Sequence, residues 1–167
     1  MEVKIEKLID WDKVKKVALN TIGKKYTGKE ISEYWKEKII KSEHSPIRCL
    51  TYEIEMIGIP YFVSVHLTRH KIGVEHFVTT QRTDRTGEIR EDKRQDALVN
   101  HIMIINAQSI ITISRKRLCR LADVKTREVW KMVITELEKI EPALSKNCLQ
   151  DCEYRGGCKE MKPCLKI

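Results

Sequence analysis

The tripeptide Arg69-His70-Lys71 sets two cations around an imidazole, directly after the apolar stretch 61–67. An arginine offers a planar fork to a phosphate or a carbonyl edge, and a lysine offers a point charge. A histidine stacks on a heteroaromatic ring or hydrogen-bonds to it. At the end of a buried element, the three suit a flat anionic ligand; taken alone they also describe a solvated basic turn. Further polar groups flank them in order. These are His44-Ser45-Pro46, Thr80-Gln81-Arg82, Asn106-Ala107-Gln108-Ser109, Arg117-Leu118-Cys119-Arg120 with Ala122, and Pro142-Ala143-Leu144.

A second donor set is Cys148, Cys152, Cys158 and Cys164, with Gly156-Gly157 for a tight turn. Four thiolates could close a tetrahedral zinc site or ligate an iron–sulfur cluster, although the usual pair of C-x2-C knuckles is missing. Small buried thiols are the alternative. His66 and His70 have the i, i+4 spacing of a helical metal pair, without a third ligand at motif spacing. Cys49 and Cys119 read as core thiols, and neither has neighbours that would activate a thiolate.

The elements that would position these groups follow from periodicity. Residues 2–8 alternate and read as a strand. Asp10 caps a helix running to Asn20, with Trp11, Val14, Val17 and Ala18 on its apolar face. A second helix ends at Lys41, before His44-Ser45-Pro46. Residues 51–57 are a strand, 61–66 are strand or helix, and 74–82 are extended. A charged loop covers 83–96, and helices are expected over 96–116 and 123–140. The 96–116 helix would carry His101 as a satisfied core or interface histidine. One α+β domain over residues 1–142 results: a mainly antiparallel sheet with flanking helices. A cysteine-rich tail over 143–167 follows, expected to be separable from folding of the domain.

Lys and Arg number 32 against 24 acids, a formal net charge of +8. This favours anionic partners such as nucleotides, phosphorylated cofactors or nucleic acid. With 41% hydrophobic residues the chain is globular, and its longest apolar run, 102–105, is far below the roughly 20 residues of a membrane helix. A cytoplasmic protein with no membrane partner is the expectation.

The order and spacing of the polar groups resemble the flavin-dependent thymidylate synthases. Their signature R-H-R-x-x-S-x-N-E-x-S-x-R follows an H-x-S/T-P-x-E-H stretch and a strand. It precedes a helix carrying N-A-R-S, with an Arg eleven residues after that Asn. Asn106 and Arg117 keep this interval, and the resemblance runs from about residue 2 to the tail. It implies the fold of that family and conversion of deoxyuridylate to thymidylate. Methylenetetrahydrofolate would give the carbon, FAD the hydride and NADPH the electrons, in a homotetramer with shared active sites. His44, Arg69, His70, Lys71 and Asn106 would hold the flavin. His66, Thr80, Arg82 and Arg117 would hold the nucleotide, with Thr80 and Arg82 at its phosphate. Arg117 would face the uracil and stabilise charge developing on its carbonyl oxygens.

The sequence departs from the signature at several positions. Lys71 replaces an Arg, Val74 a Ser, His76-Phe77 the N-E pair, Gln108 an Arg, Arg48 an acid and His66 a Gln. Arg82 lies one residue beyond its expected place. A further phosphate-contacting Arg has two candidates, Arg90 and Arg94. Two other readings therefore stand beside the first. One is a related flavin and folate enzyme with a different pyrimidine nucleotide product. The other is a non-catalytic nucleotide- or nucleic-acid-binding homologue, although nucleic acid is not the expected partner.

Overall fold

The computed structural model describes residues 1–164. In chain order the elements are β1 (Glu2–Ile9), α1 (Trp11–Asn20), α2 (Glu33–Lys41), β2 (Thr51–Pro60), α3 (Tyr61–Leu67), β3 (Val74–Val78) and α4 (Thr83–Thr86). They continue with β4 (Leu98–Asn106), α5 (Ala107–Arg117), α6 (Val124–Ile140), α7 (Pro142–Ser145) and α8 (Asp151–Tyr154). The strands form one sheet in the order β1-β2-β4-β3, with every neighbouring pair antiparallel. The α+β architecture expected from the sequence is the one observed.

One element differs in kind. Residues 98–106, expected to begin a helix, form the central strand β4. Val99, His101, Met103 and Ile105 alternate inward, while Ile102 and Ile104 are half-buried on the other side. Covered on both faces, the strand has lost the plain alternation that marks a one-sided strand. The expected helix survives only as α5, capped by Asn106, whose Oδ1 accepts the Ser109 N–H at 2.9 Å. Residues 61–67 resolve to helix α3. Its first amides donate to the loop before β4, Tyr61 to the Ala97 carbonyl and Phe62 to Gln95, so two of the orphan donors of the helix start are satisfied.

The core lies between the sheet and helices α1, α2, α5 and α6, and includes Trp130, Tyr52, Ile40, Ile54 and Met103 at full burial. It runs on past residue 142, since Ala143, Leu144 and Cys148 are buried within it. Truncation after Pro142 would therefore remove core side chains. At the junction of α6 and α7, Glu141 is a buried carboxylate. Lys7 Nζ approaches it to 2.7 Å, Trp11 Nε1 donates to both oxygens at 3.0 Å, and the Tyr52 hydroxyl donates at 3.3 Å. Burial, with the charge of Glu141, pushes the Tyr52 phenol up. Among the described residues no helix is long and apolar enough to cross a membrane.

Candidate functional site

The basic tripeptide sits in the short loop between α3 and β3, where the chain leaves a helix and re-enters the sheet. Residues 69–72 of this loop face Gln108, Ser109, Thr112 and Ile113 of α5 across a cavity of about 480 Å3. The loop's shape depends on Gly73, at φ 68°. A Cβ there would lie 2.2 Å from Asn106 Nδ2 and 2.5 Å from Ser109 Oγ. Asn106 N–H in turn donates to the Gly73 carbonyl at 3.1 Å, and the Ser109 hydroxyl donates to the Ile72 carbonyl at 2.7 Å. Asn106 thus fixes the loop to the start of α5 while its side-chain oxygen caps the helix.

Arg117, in the last turn of α5, closes the other end of the loop. Its Nε donates to His70 Nε2 at 2.9 Å, and its Nη2 donates to the His66 carbonyl. A guanidinium only donates, so His70 Nε2 is the acceptor, and the neutral ring carries its proton on Nδ1. Burial, then the charges of Arg117 and His76, lower His70 to about 4. Arg117 is itself lowered by burial and by Arg69. The fork is therefore charged, the imidazole beside it is neutral, and the ring has one tautomer.

His76 and His101, read from the sequence only as a motif departure and a core residue, extend this network. His76 Nε2 donates to the His70 carbonyl at 2.7 Å, and its Nδ1 lies 2.9 Å from His101 Nε2. With Nε2 committed as donor, a neutral His76 accepts from His101. His101, expected on a helix, lies instead on β4 and is fully buried. Burial and then His76 hold it down at about 4, and its Nδ1 has no partner among the described residues. Only the β3–β4 register, with Val78 opposite His101, brings the two rings together.

The remaining expected residues divide into two groups. His66 Nδ1 is 2.7 Å from the Thr126 hydroxyl at the start of α6, and its carbonyl serves Arg117. Gln108 donates to Glu43 at 2.6 Å, and Arg115 grips the same carboxylate while stacking 3.5 Å above the Tyr154 ring. Although burial raises the Glu43 carboxyl, Gln108 and Arg115 bring it below its ordinary value. His44, Thr80 and Arg82 are exposed and stand apart from this network; like His66, Asn106 and Arg117, they do not line the cavity itself. Arg82 forks onto Asp84 at 2.9 and 2.8 Å, and its N–H donates to Thr80 Oγ1. Arg94 makes the same fork onto Asp96.

The four tail cysteines do not assemble a metal site. Among the described residues no group of three or more His, Cys, Asp or Glu is arranged to hold an ion. Cys148 is buried under α7 with its thiol on the Leu144 carbonyl, and burial pushes it up to about 12. It is a core side chain, which removes one ligand from the set.

No protein-family model and no curated protein matches the chain by sequence. Solved structures do match by shape. Thymidylate synthase X from Helicobacter pylori, crystallised with FAD and dUMP, superposes with a TM-score of 0.73 at 15% identity, covering 89% of this chain and 99% of that one. The fold is that of the flavin-dependent thymidylate synthases. A second structure of the flavin-dependent thymidylate synthase from Helicobacter pylori gives 0.62 at 16% identity over 90% and 100% of the chains. The UMP/dUMP methylase PolB from Streptomyces cacaoi, bound with 5-Br dUMP, gives 0.62 at 13% identity over 87% and 94%. The shared fold thus spans about nine-tenths of this chain.

Proposed function

We propose that the chain is a FAD-dependent enzyme that transfers a one-carbon unit from methylenetetrahydrofolate to deoxyuridylate, giving thymidylate. It acts in the cytoplasm as a homotetramer with active sites between subunits. The observation that carries this reading is the convergence of Arg69, His70 and Lys71 with Arg117 and Asn106 at one loop of this fold. The donor set suits a flat phosphorylated cofactor. No acid lines the cavity, and Arg69 and Lys71 have no ion pair among the described residues, so their charges are left for a ligand. FAD, when bound and reduced by NADPH, supplies the hydride.

The chain's own residues bind and orient. Arg69 and Lys71 would attract the phosphates, His70 would offer Nδ1–H to a carbonyl edge, and Asn106 would hold the loop that carries them. Arg117 would stabilise negative charge as it develops on the uracil oxygens, from a position already fixed by His70 and the His66 carbonyl. His44 would lie near the flavin. Thr80 and Arg82 would take the nucleotide phosphate, with Arg82 exchanging Asp84 for it, and His66 would complete the nucleotide pocket.

A second reading, a related flavin and folate enzyme with a different pyrimidine nucleotide product, is favoured by Gln108. Where the resembled family carries a cation, this side chain is committed to Glu43. Incubating the protein with FAD, NADPH, methylenetetrahydrofolate and either deoxyuridylate or uridylate, with mass detection of methylated product, tests both. Thymidylate from deoxyuridylate is the expected result. Methylation of uridylate alone would favour the second reading, and failure to bind flavin at micromolar concentration would overturn both.

A further inference from the structure

Another cavity lies elsewhere in the molecule. It measures about 570 Å3, lies against α1, and shares no residue with the cavity beside α5. Its first wall is one face of that helix. Lys13, Lys16, Val17 and Asn20 stand at i, i+3, i+4 and i+7, with Val17 at the edge next to the buried Val14. Its second wall is Lys24, Lys25 and Tyr26 of the loop that follows, held back over the helix by two tethers. Gly23, at φ 68°, turns the chain so that the Lys24 N–H returns to the Leu19 carbonyl at 2.9 Å. The Tyr26 hydroxyl donates to Asp12 at 2.7 Å.

No carboxylate lines this cavity. Among the described residues, none of its four ammonium groups has an ion pair or hydrogen bond. By contrast, Lys7 pairs with Glu141, Lys36 with Glu33, Lys116 with Glu160 and Lys139 with Glu136. Four like charges around one concavity repel one another, and a bound polyanion removes that repulsion.

We propose that this cavity binds a nucleoside triphosphate, its linked phosphates held by Lys13, Lys16, Lys24 and Lys25 and its ring lying against Tyr26 and Val17. Ammonium groups grip phosphate as point charges, without the planar match that a guanidinium demands. The volume falls among small-molecule sites, whereas a nucleic-acid strand requires an open track. Because Asp12 occupies the Tyr26 hydroxyl, the face of the ring is what remains for the ligand.

Calorimetric titration of the full chain with a deoxynucleoside triphosphate, inorganic tripolyphosphate and a single-stranded DNA of about 12 nucleotides tests this. The nucleoside triphosphate is expected to bind more tightly than tripolyphosphate, and Tyr26→Leu to abolish that preference. Lys16→Gln combined with Lys24→Gln, both exposed positions, should weaken it about a hundredfold, roughly tenfold for each charge-assisted contact. Arg69→Ala should leave it unchanged. The proposal is overturned by no saturable binding at millimolar nucleotide, by undiminished binding in the double lysine variant with an unchanged melting temperature, or by loss of binding in Arg69→Ala instead. Tighter binding of the oligonucleotide would overturn it in favour of a nucleic-acid surface.

Discussion

Arg117 and Arg82 are both forks offered to a nucleotide in the proposed reaction, but the chain holds them in opposite ways. Arg117 is half-buried and reaches across 47 and 51 positions of sequence to His70 and the His66 carbonyl. Arg82 is exposed and satisfied by Asp84, two residues on. The first is fixed by tertiary structure before any ligand arrives, which is the condition under which a cation stabilises developing charge well. The second is neutralised by a surface pair of roughly 0–1 kcal/mol, which an incoming dianion displaces at little cost. In the proposed reaction one arginine serves the chemistry, and the other capture.

The contrast is tested most severely by Arg117→Ala. Turnover should fall about a hundred- to a thousandfold, as when one preorganised donor is lost, while deoxyuridylate affinity stays within a few fold. Steady-state kinetics beside calorimetry would separate the two. Arg117→Lys should rescue poorly, because a point charge cannot hold His70 and the His66 carbonyl together. Arg82→Ala should do the reverse, raising the deoxyuridylate dissociation constant about ten- to a hundredfold with little change in the chemical step. That loss should shrink in high salt. Asp84→Asn frees the fork and should tighten binding slightly.

Smaller effects sharpen what holds the Arg117 side in place. Gly73→Ala puts a Cβ into the Asn106–Ser109 cap at left-handed φ, and should lower stability by about 2–3 kcal/mol in urea unfolding. Acid should also loosen this side. His70 and His101 are held down at about 4, so between the ordinary histidine value of 6.5 and about 4 the unfolded chain binds more protons than the folded one. Their contribution is complete above 6.5 and is lost as pH falls through that window. A thermal scan at pH 5 should give a melting temperature below that at pH 7 by at least about 2–4 °C, what 1 kcal/mol moves in a domain of this size. His101→Gln should flatten the dependence. A chelator should leave the melting temperature unchanged, since no metal group is assembled among the described residues.

Legibility in the sequence tracks how local each device is. The cap Asp10, the stop before Pro46 and the alternation of residues 51–57 are short-range, and the structure places them as read. The interval from Asn106 to Arg117 is one helix long, so it too was visible. Strand β4 was not, because Ile102 and Ile104 fill the face that would have been polar on a one-sided strand. The contact between His76 and His101 depends on strand register, and the partners of Glu141 lie 89 and 130 positions away. No spacing rule reaches that far. Cysteine clustering in the tail left ligands and small buried thiols both open, and Cys148 takes the second role, recruited to the core as a small apolar side chain.

Glu141 also bears on the order of synthesis. A chain leaves the ribosome from its N-terminus, so Lys7, Trp11 and Tyr52 emerge long before the carboxylate that ties them together. A nascent chain can pair β1 with β2 early, yet the corner where they meet α1 stays unlatched until the end of α6 is out. A product terminated before residue 141 would keep that corner wet and its indole and phenol unmatched. The native state therefore carries a late check on its own completeness, placed in a single side chain near the end of the fold.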